Sequence, residues 1–276
     1  MPAGKSYYRK DAKIVRGHNQ HRMKYPDIAR QVILQSDIVI EILDSRFWRE
    51  TRNIESEKFI KEQGKRIIFV INKSDLIDRK EVIKNMGETD IYPFVFVSTK
   101  ERRGSSELME RIKIEAKKFD KEKIYVGVIG YPNTGKSSVI NLLKGSSSAR
   151  VSSESGFTKG MQKVKITDKI LLIDTPGVIP ESEDSNIKEQ DLFKHALINT
   201  RTWDKIKNPE AIVNDFMLKY PKVLEEYYDI PAEGDSEVLL EKLGKKKNFI
   251  LKKGEIDNDR TARLILRDFQ EGKIKV

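Results

Sequence analysis

The chain has 276 residues, 38% of them hydrophobic and 35% charged, which suits one sizeable globular domain with a smaller one beside it. It has no cysteine, which excludes disulfides and cysteine-based metal sites, and three histidines, His18, His21 and His195, do not make a convincing zinc set. The net charge of +10 gathers at the ends: residues 1–30 hold eight Lys/Arg against two Asp, and residues 241–276 hold eleven against six Asp/Glu, so either end could meet a polyanion. No stretch approaches the roughly 18 consecutive apolar residues of a membrane span, and the basic N-terminus has no apolar run behind it. The expected setting is the cytoplasm.

Residues 23–35 read as a helix with a loose apolar set. Asp37 to Asp44 follows as a buried strand, dense in β-branched residues. Thr51–Gly64 is a helix, Arg66–Asn72 a second strand and Phe94–Ser98 a third. Ser105–Phe119 is helical, Ile124–Gly130 a fourth strand, and a helix runs from Gly135 to Leu143. Gly145–Phe157, rich in Ser and Gly, reads as a loop. Lys163–Ile166 and Lys169–Asp174 complete six strands. Strands alternating with helices predict an α/β fold with a mostly parallel sheet, covered on both faces. After Ile187 only helical patterns remain, at residues 193–198, 209–219, 221–228, 236–243 and 260–271. The expected division is 1–186, an α/β domain with a basic N-terminal extension, and 187–276, a small all-helical domain.

Gly130-Tyr-Pro-Asn-Thr-Gly-Lys136-Ser137 fits GxxxxGK[ST] between a strand and a helix, the context a phosphate-binding loop requires. Asn133, Thr134, Gly135, Lys136, Ser137 and Ser138 are the expected phosphate-side contacts. Backbone N–H groups and the helix N-terminus would wrap the phosphates. Lys136 would reach the β and γ phosphates, and Ser137 would ligate Mg²⁺. Asp174 ends a hydrophobic strand and could hold the magnesium shell, and Gly177 could offer its N–H to the γ-phosphate. Between them, Thr158 is favoured over Ser152, Ser153 and Ser155 as a switch threonine reaching Mg²⁺.

Asn72-Lys73-Ser74-Asp75 follows a buried strand. Asp75 can accept from guanine N1–H and N2–H₂, the stem of Lys73 can cover the base, and Asn72 can tie the loop to neighbouring backbone. Ser98-Thr99-Lys100 follows the next strand and could close over guanine O6. The base-reading motifs therefore precede the phosphate loop. All these loops must meet at one sheet edge, which the chain can satisfy if the G domain is circularly permuted, with residues 105–123 joining the old termini.

This constellation resembles the circularly permuted GTPases of large-ribosomal-subunit assembly, of the RbgA/YlqF type. Residues 38–46, IVIEILDSR, resemble the family's V-I-E-x-x-D-A-R, with Ser45 where Ala is usual. Thr51-Arg52-Asn53 resembles S-R-N, Gly156 to Gln162 resembles P-G-x-T-x-x-x-Q with Ser155 in place of proline, and residues 257–273 resemble the terminal D-x-x-R-A-A-x-x-L-L-x-D-F-R-x-G-K. The resemblance implies a hydrolase acting on GTP, coupled to the assembling large subunit and its rRNA and stimulated by that particle. DNA specificity, membrane attachment and oligomerisation off the ribosome are not expected. It also implies a histidine that helps the attacking water. His18 matches the preceding glycine and His21 matches the spacing to Asp37, so both stay open. Val178, Ile179 and Pro180 follow Gly177, so the usual switch glutamine is absent there and intrinsic hydrolysis should be slow. Asn133 stands where related potassium-dependent GTPases place asparagine, which implies K⁺ beside GTP/GDP and Mg²⁺, or else a role in shaping the loop. A GTP-dependent switch that recruits proteins without RNA is the alternative function, and nuclease-treated pull-downs would separate the two. The last helical third, with Lys245–Lys247, Lys252, Lys253, Arg260, Arg263 and Arg267, is the expected rRNA-facing surface, with Leu264, Ile265 and Phe269 turned to its core.

Overall fold

A computed structural model describes residues 25–87, 89–145, 153–154, 162–174, 193, 196–198, 202–252 and 254–276. In chain order the elements are α1 (Tyr25–Gln35), β1 (Ile38–Asp44), α2 (Ile54–Glu62), β2 (Arg66–Asn72), α3 (Arg79–Met86), β3 (Phe94–Phe96), α4 (Ser105–Ala116), β4 (Ile124–Ile129), α5 (Lys136–Gly145), β5 (Ser153–Glu154), β6 (Gln162–Lys165) and β7 (Ile170–Asp174). Helices α6 (Pro209–Lys219), α7 (Val223–Tyr228), α8 (Ser236–Lys246) and α9 (Asn258–Gln270) follow. No helix among the described residues is long and apolar enough to cross a membrane.

One sheet runs β3-β2-β1-β4-β7-β6-β5. The first five of these strands are parallel, and β6 and β5 extend the edge antiparallel. The six strands expected from the pattern are present. The seventh, β5, is two residues long and lies inside the segment read as a loop, because Ser153 and Glu154 carry no strand signal and gain their ladder only by pairing with Val164 and Lys163. From β1 the chain moves outward to β2 and β3, then returns to place β4 on the other flank of β1. The order reverses between β1 and β4, so their carboxyl ends open a crevice of the kind where α/β sheets bind ligands. The base-motif strands lie on one side of that crevice and the phosphate-loop strand borders the other. That is the permuted arrangement.

Strand β1 is buried along its whole length, and its alternate residues serve different layers. Ile38, Ile40 and Ile42 join Leu108, Ile112, Val139 and Leu143 from α4 and α5. On the opposite face Val39 packs with Val32, Ile33 and Ile60 of α1 and α2, while Leu43 packs with Phe69, Ile71 and Met86. Glu41 breaks the apolar run. Its carboxyl accepts from Asn53 N at 2.6 Å and so fixes the entry to α2. Burial first, then neighbouring Glu57, pushes its pKa well above the usual carboxylate range. Where the chain returns to the sheet, Asp37 accepts from Lys121 Nζ at 2.6 Å and from Tyr125 N at 3.0 Å, clamping the joining segment to the start of β1.

The C-terminal helices have their own core of Val213, Phe216, Leu239, Leu243, Ile265, Leu266 and Phe269, which also takes in Phe47 and Tyr131 from the sheet-bearing part. Ile265 and Phe269 point inward as expected, whereas Leu264 is only half-buried and Leu266 takes its place. α9 starts on Asp257, whose side chain accepts from Arg260 N at 2.9 Å.

A candidate guanine-nucleotide site

The phosphate loop leaves β4 and enters α5 at Lys136. Gly135 adopts φ +99, and a Cβ there would stand 2.2 Å from Asn72 Nδ2, so this position requires glycine. Lys136 is buried, and its ammonium donates to Tyr131 O at 2.7 Å. Thr134 Oγ1 donates to the same carbonyl at 2.9 Å. The loop is thus cinched by its own side chains. Asn133 at φ 61, Ser137 and Ser138 are exposed on it. β7 pairs with β4 through Gly127–Ile173, which puts Asp174 at the same sheet edge, one residue further on.

The base-reading motifs arrive at that edge from β2 and β3. Asn72 Nδ2 donates to Thr134 O at 2.8 Å, joining the two halves of the site across 62 residues of chain. Ser98 Oγ donates to Asp75 Oδ1 at 2.6 Å, and Glu101 N closes the following turn onto Ser98 Oγ at 3.1 Å. Lys73 sits in the left-handed region at φ 60, and its ammonium is bound to Asp44 Oδ2 at 2.7 Å. A cavity of about 590 Å³ opens between the Thr99–Lys100 turn and α5, reaching Arg102, Ser138, Asn141 and Leu142. The structure therefore brings together Asn72, Lys73, Asp75, Ser98, Thr99, Lys100 and the phosphate loop. His18, His21, Thr158 and Gly177 lie outside the described residues, as does the side chain of Asp174.

An uncharacterised GTP-binding protein of Methanocaldococcus jannaschii is 37% identical over 95% of this chain and 69% of its own length. The chain belongs to the circularly permuted GTPase family. A family model described as 50S ribosome-binding GTPase matches residues 125–223 of this GTPase. Nucleolar GTP-binding protein 2 of Pneumocystis carinii is 34% identical over 87% of the chain and 50% of its own length, and that of Saccharomyces cerevisiae 32% over 88% and 51%. This GTPase spans about half the length of those nucleolar relatives. YlqF from T. maritima, solved with GNP, shares the fold: TM-score 0.62 at 20% identity, covering 90% of this chain and 94% of that one.

One part of the site carried no residue-level role in the sequence reading. Asp44 and Arg46 were visible only as letters of a family pattern. In this GTPase Asp44 is fully buried at the end of β1, between Arg46 and Lys73. Burial pushes its pKa up, but the Arg46 guanidinium and then the Lys73 ammonium outweigh it and hold it at about 2. The available signal was the carboxylate at the end of an apolar strand, two residues before an arginine. Ser45 completes the arrangement by donating to Lys73 O at 2.8 Å.

The C-terminal cations divide. Arg263 is used internally, donating to Trp203 O, Asp204 O and Ile206 O and to Asp259. Lys246 Nζ donates to Tyr228 O at 2.9 Å, and Lys245 pairs with Glu241. Lys247 and Lys252 are exposed, beside the exposed Ile250 and Leu251. Lys253 lies outside the described residues.

Proposed function

We propose that this chain hydrolyses GTP in the course of assembling the large ribosomal subunit, and that the particle stimulates its turnover. The observation that carries the reading is the match of residues 125–223 to a 50S ribosome-binding GTPase model, on a chain whose base-reading and phosphate motifs converge at one edge. The nucleolar names of the fungal relatives support it. In this reading residues 1–186 handle the nucleotide and residues 187–276 face the rRNA, with Lys247 and Lys252 as the exposed phosphate contacts.

Asp75 accepts from the guanine N1–H and N2–H₂, and Ser98 holds it for that task. The Lys73 stem lies along the base while Asp44 anchors its head. Lys136 and the loop N–H groups stabilise charge on the transferring phosphoryl group. The residues present fit a magnesium ion, since Ser137 brings an exposed hydroxyl at the start of α5 and Asp174 closes the neighbouring strand. Ser137, Thr158 and Asp174 would hold Mg²⁺, which would supply charge neutralisation on the phosphates. Asn133, exposed at the loop tip, fits a potassium ion that would add further positive charge. Gly177 positions the γ-phosphate, and His18 or His21 orients water once the particle completes the site.

The test is co-sedimentation with large-subunit precursors in a GTP analogue and in GDP, paired with turnover assays with and without particles. Analogue-dependent binding with faster turnover is expected. Binding that ignores both nucleotide and particle, or that survives only with protein partners after nuclease treatment, would sink the reading. Equal rates in matched KCl and NaCl would remove the potassium.

A further inference from the structure

Arg46 stands between two parts of the molecule that the nucleotide reading treats separately. Toward the guanine side its Nε and Nη2 hold both oxygens of Asp44, at 3.1 and 2.9 Å. Asp44 in turn holds the Lys73 ammonium, two residues before Asp75. Toward the C-terminus, Arg46 Nη1 donates to Phe269 O in the last turn of α9 at 3.0 Å, across 223 residues of chain. The guanidinium also lies 5.2 Å from the Phe269 ring centre and 5.3 Å from that of Phe47. The side chain is 2% exposed, so all of these contacts are dry.

The tail beyond α9 touches the same loop independently. Gly272 packs so closely on Leu76 that a Cβ there would stand 2.8 Å from Leu76 Cδ1. Lys275 and Val276 line a cavity of about 880 Å³ together with Ser74 and Asp75. The local reading of Arg46 is a cation placed at a helix C-terminus, where the dipole favours it. That reading leaves a feature unused. Phe269 O already accepts from Gly272 N at 3.0 Å, so the helix end is closed without Arg46. What Arg46 adds is a connection from that helix end to the carboxylate that anchors Lys73.

We propose that Arg46 is a positioning residue that couples the guanine-reading loop to the C-terminal end of α9, so that guanine occupancy and order at residues 268–273 stabilise each other. This rests on the guanine role given above to Lys73 and Asp75. Such coupling is reciprocal: whatever grips the last helix must also tighten base binding. The C-terminal region would then read the nucleotide through the base loop, a route separate from the segment around Thr158 and Gly177.

The experiment uses the full chain with GDP and ADP as probes, combining calorimetric affinities with amide hydrogen exchange. In wild type, GDP binds more tightly than ADP and slows exchange at residues 268–273. Arg46→Met keeps an unbranched apolar stem, shorter than arginine, and loses the hydrogen bonds. Its GDP affinity should fall about tenfold with ADP affinity unchanged, and GDP should protect α5 but no longer residues 268–273. Arg46→Lys can neutralise Asp44 but cannot span both partners, so it should keep the GDP preference and lose the distal protection. General loosening of the fold would weaken GDP and ADP together. If Arg46→Met keeps both wild-type properties, the coupling is refuted. If that variant does not fold, distal protection retained by Arg46→Lys refutes it. A wild type that does not prefer GDP over ADP refutes the guanine reading itself and the coupling with it.

Discussion

Replacing Gly135 with alanine tests the lock between the two halves of the site. Gly135 holds φ +99, and the new Cβ would fall 2.2 Å from Asn72 Nδ2. Forcing a side-chain residue into such a conformation costs about 1–3 kcal/mol. Displacing the Asn72 amide also forfeits its 2.8 Å bond to Thr134 O, a loss of about 1 kcal/mol. The expected destabilisation is therefore about 2–4 kcal/mol. Gly64→Ala is the control: it has φ +61 with nothing within 4 Å of a built Cβ, so only the backbone term of about 1–2 kcal/mol applies. Urea unfolding of nucleotide-free protein, followed by Trp48 and Trp203 fluorescence, gives both values. In an Asn72→Ala background there is no amide to displace, so Gly135→Ala should cost about 1 kcal/mol less. Equal penalties with and without Asn72 would refute the claim that this amide locks the base loop to the phosphate loop.

The buried Asp44 makes acid stability a second test. Its pKa is lowered from 3.8 to about 2, so its contribution is fully present above about pH 4 and is lost as pH falls through 2. That shift amounts to about 2 kcal/mol, and the stability of Asp44→Asn should fall by that much less between pH 4 and 2 than that of wild type. Superimposable profiles would mean Asp44 is not held by Arg46 and Lys73. Ser98→Ala removes the 2.6 Å bond to Asp75 and should weaken GDP binding about threefold to tenfold by calorimetry. Asp75→Asn should move preference toward xanthosine nucleotides, and retained guanine preference would take Asp75 out of that role. Lys136→Ala should abolish GTP binding in a folded protein, and normal turnover would place the phosphate site elsewhere. Paired Lys247→Glu and Lys252→Glu substitutions should leave GTP binding intact and lose particle co-sedimentation, most clearly at moderate salt.

The strands of the sheet were legible because β-branched runs such as residues 38–43 and 67–71 allow little else. α6 was legible from Pro209 at its first turn behind Asn208, whose side chain accepts from Ala211 N. α3 was missed. Its eight residues, RKEVIKNM, include four charges and show no clear apolar face, and it stands on the Asp78 cap. β5 was missed because two polar residues form a strand only when a neighbour supplies the ladder. At the site, motif spacing located the loops but not the bonds between them. Asn72 to Thr134 and Arg46 to Phe269 join positions 62 and 223 residues apart, and nothing local in the sequence announces either. The basic C-terminal surface was overcounted for a similar reason: a letter R does not reveal that Arg263 spends its donors on three carbonyls.

Tyr131 lies inside the phosphate loop, yet its ring is packed among side chains of the C-terminal helices. The chain is made from its N-terminus, and Phe269, in the same core as Tyr131, follows it by 138 residues. At about 5–20 residues per second, some 7–30 s pass between the loop leaving the peptidyl-transferase centre and its last packing partners doing so. Once Gly177 has been added, the nascent protein has every letter of its nucleotide motifs while an aromatic ring of the loop still lacks part of its pocket. A chain cut before α9 should therefore bind GTP more weakly than one that contains it.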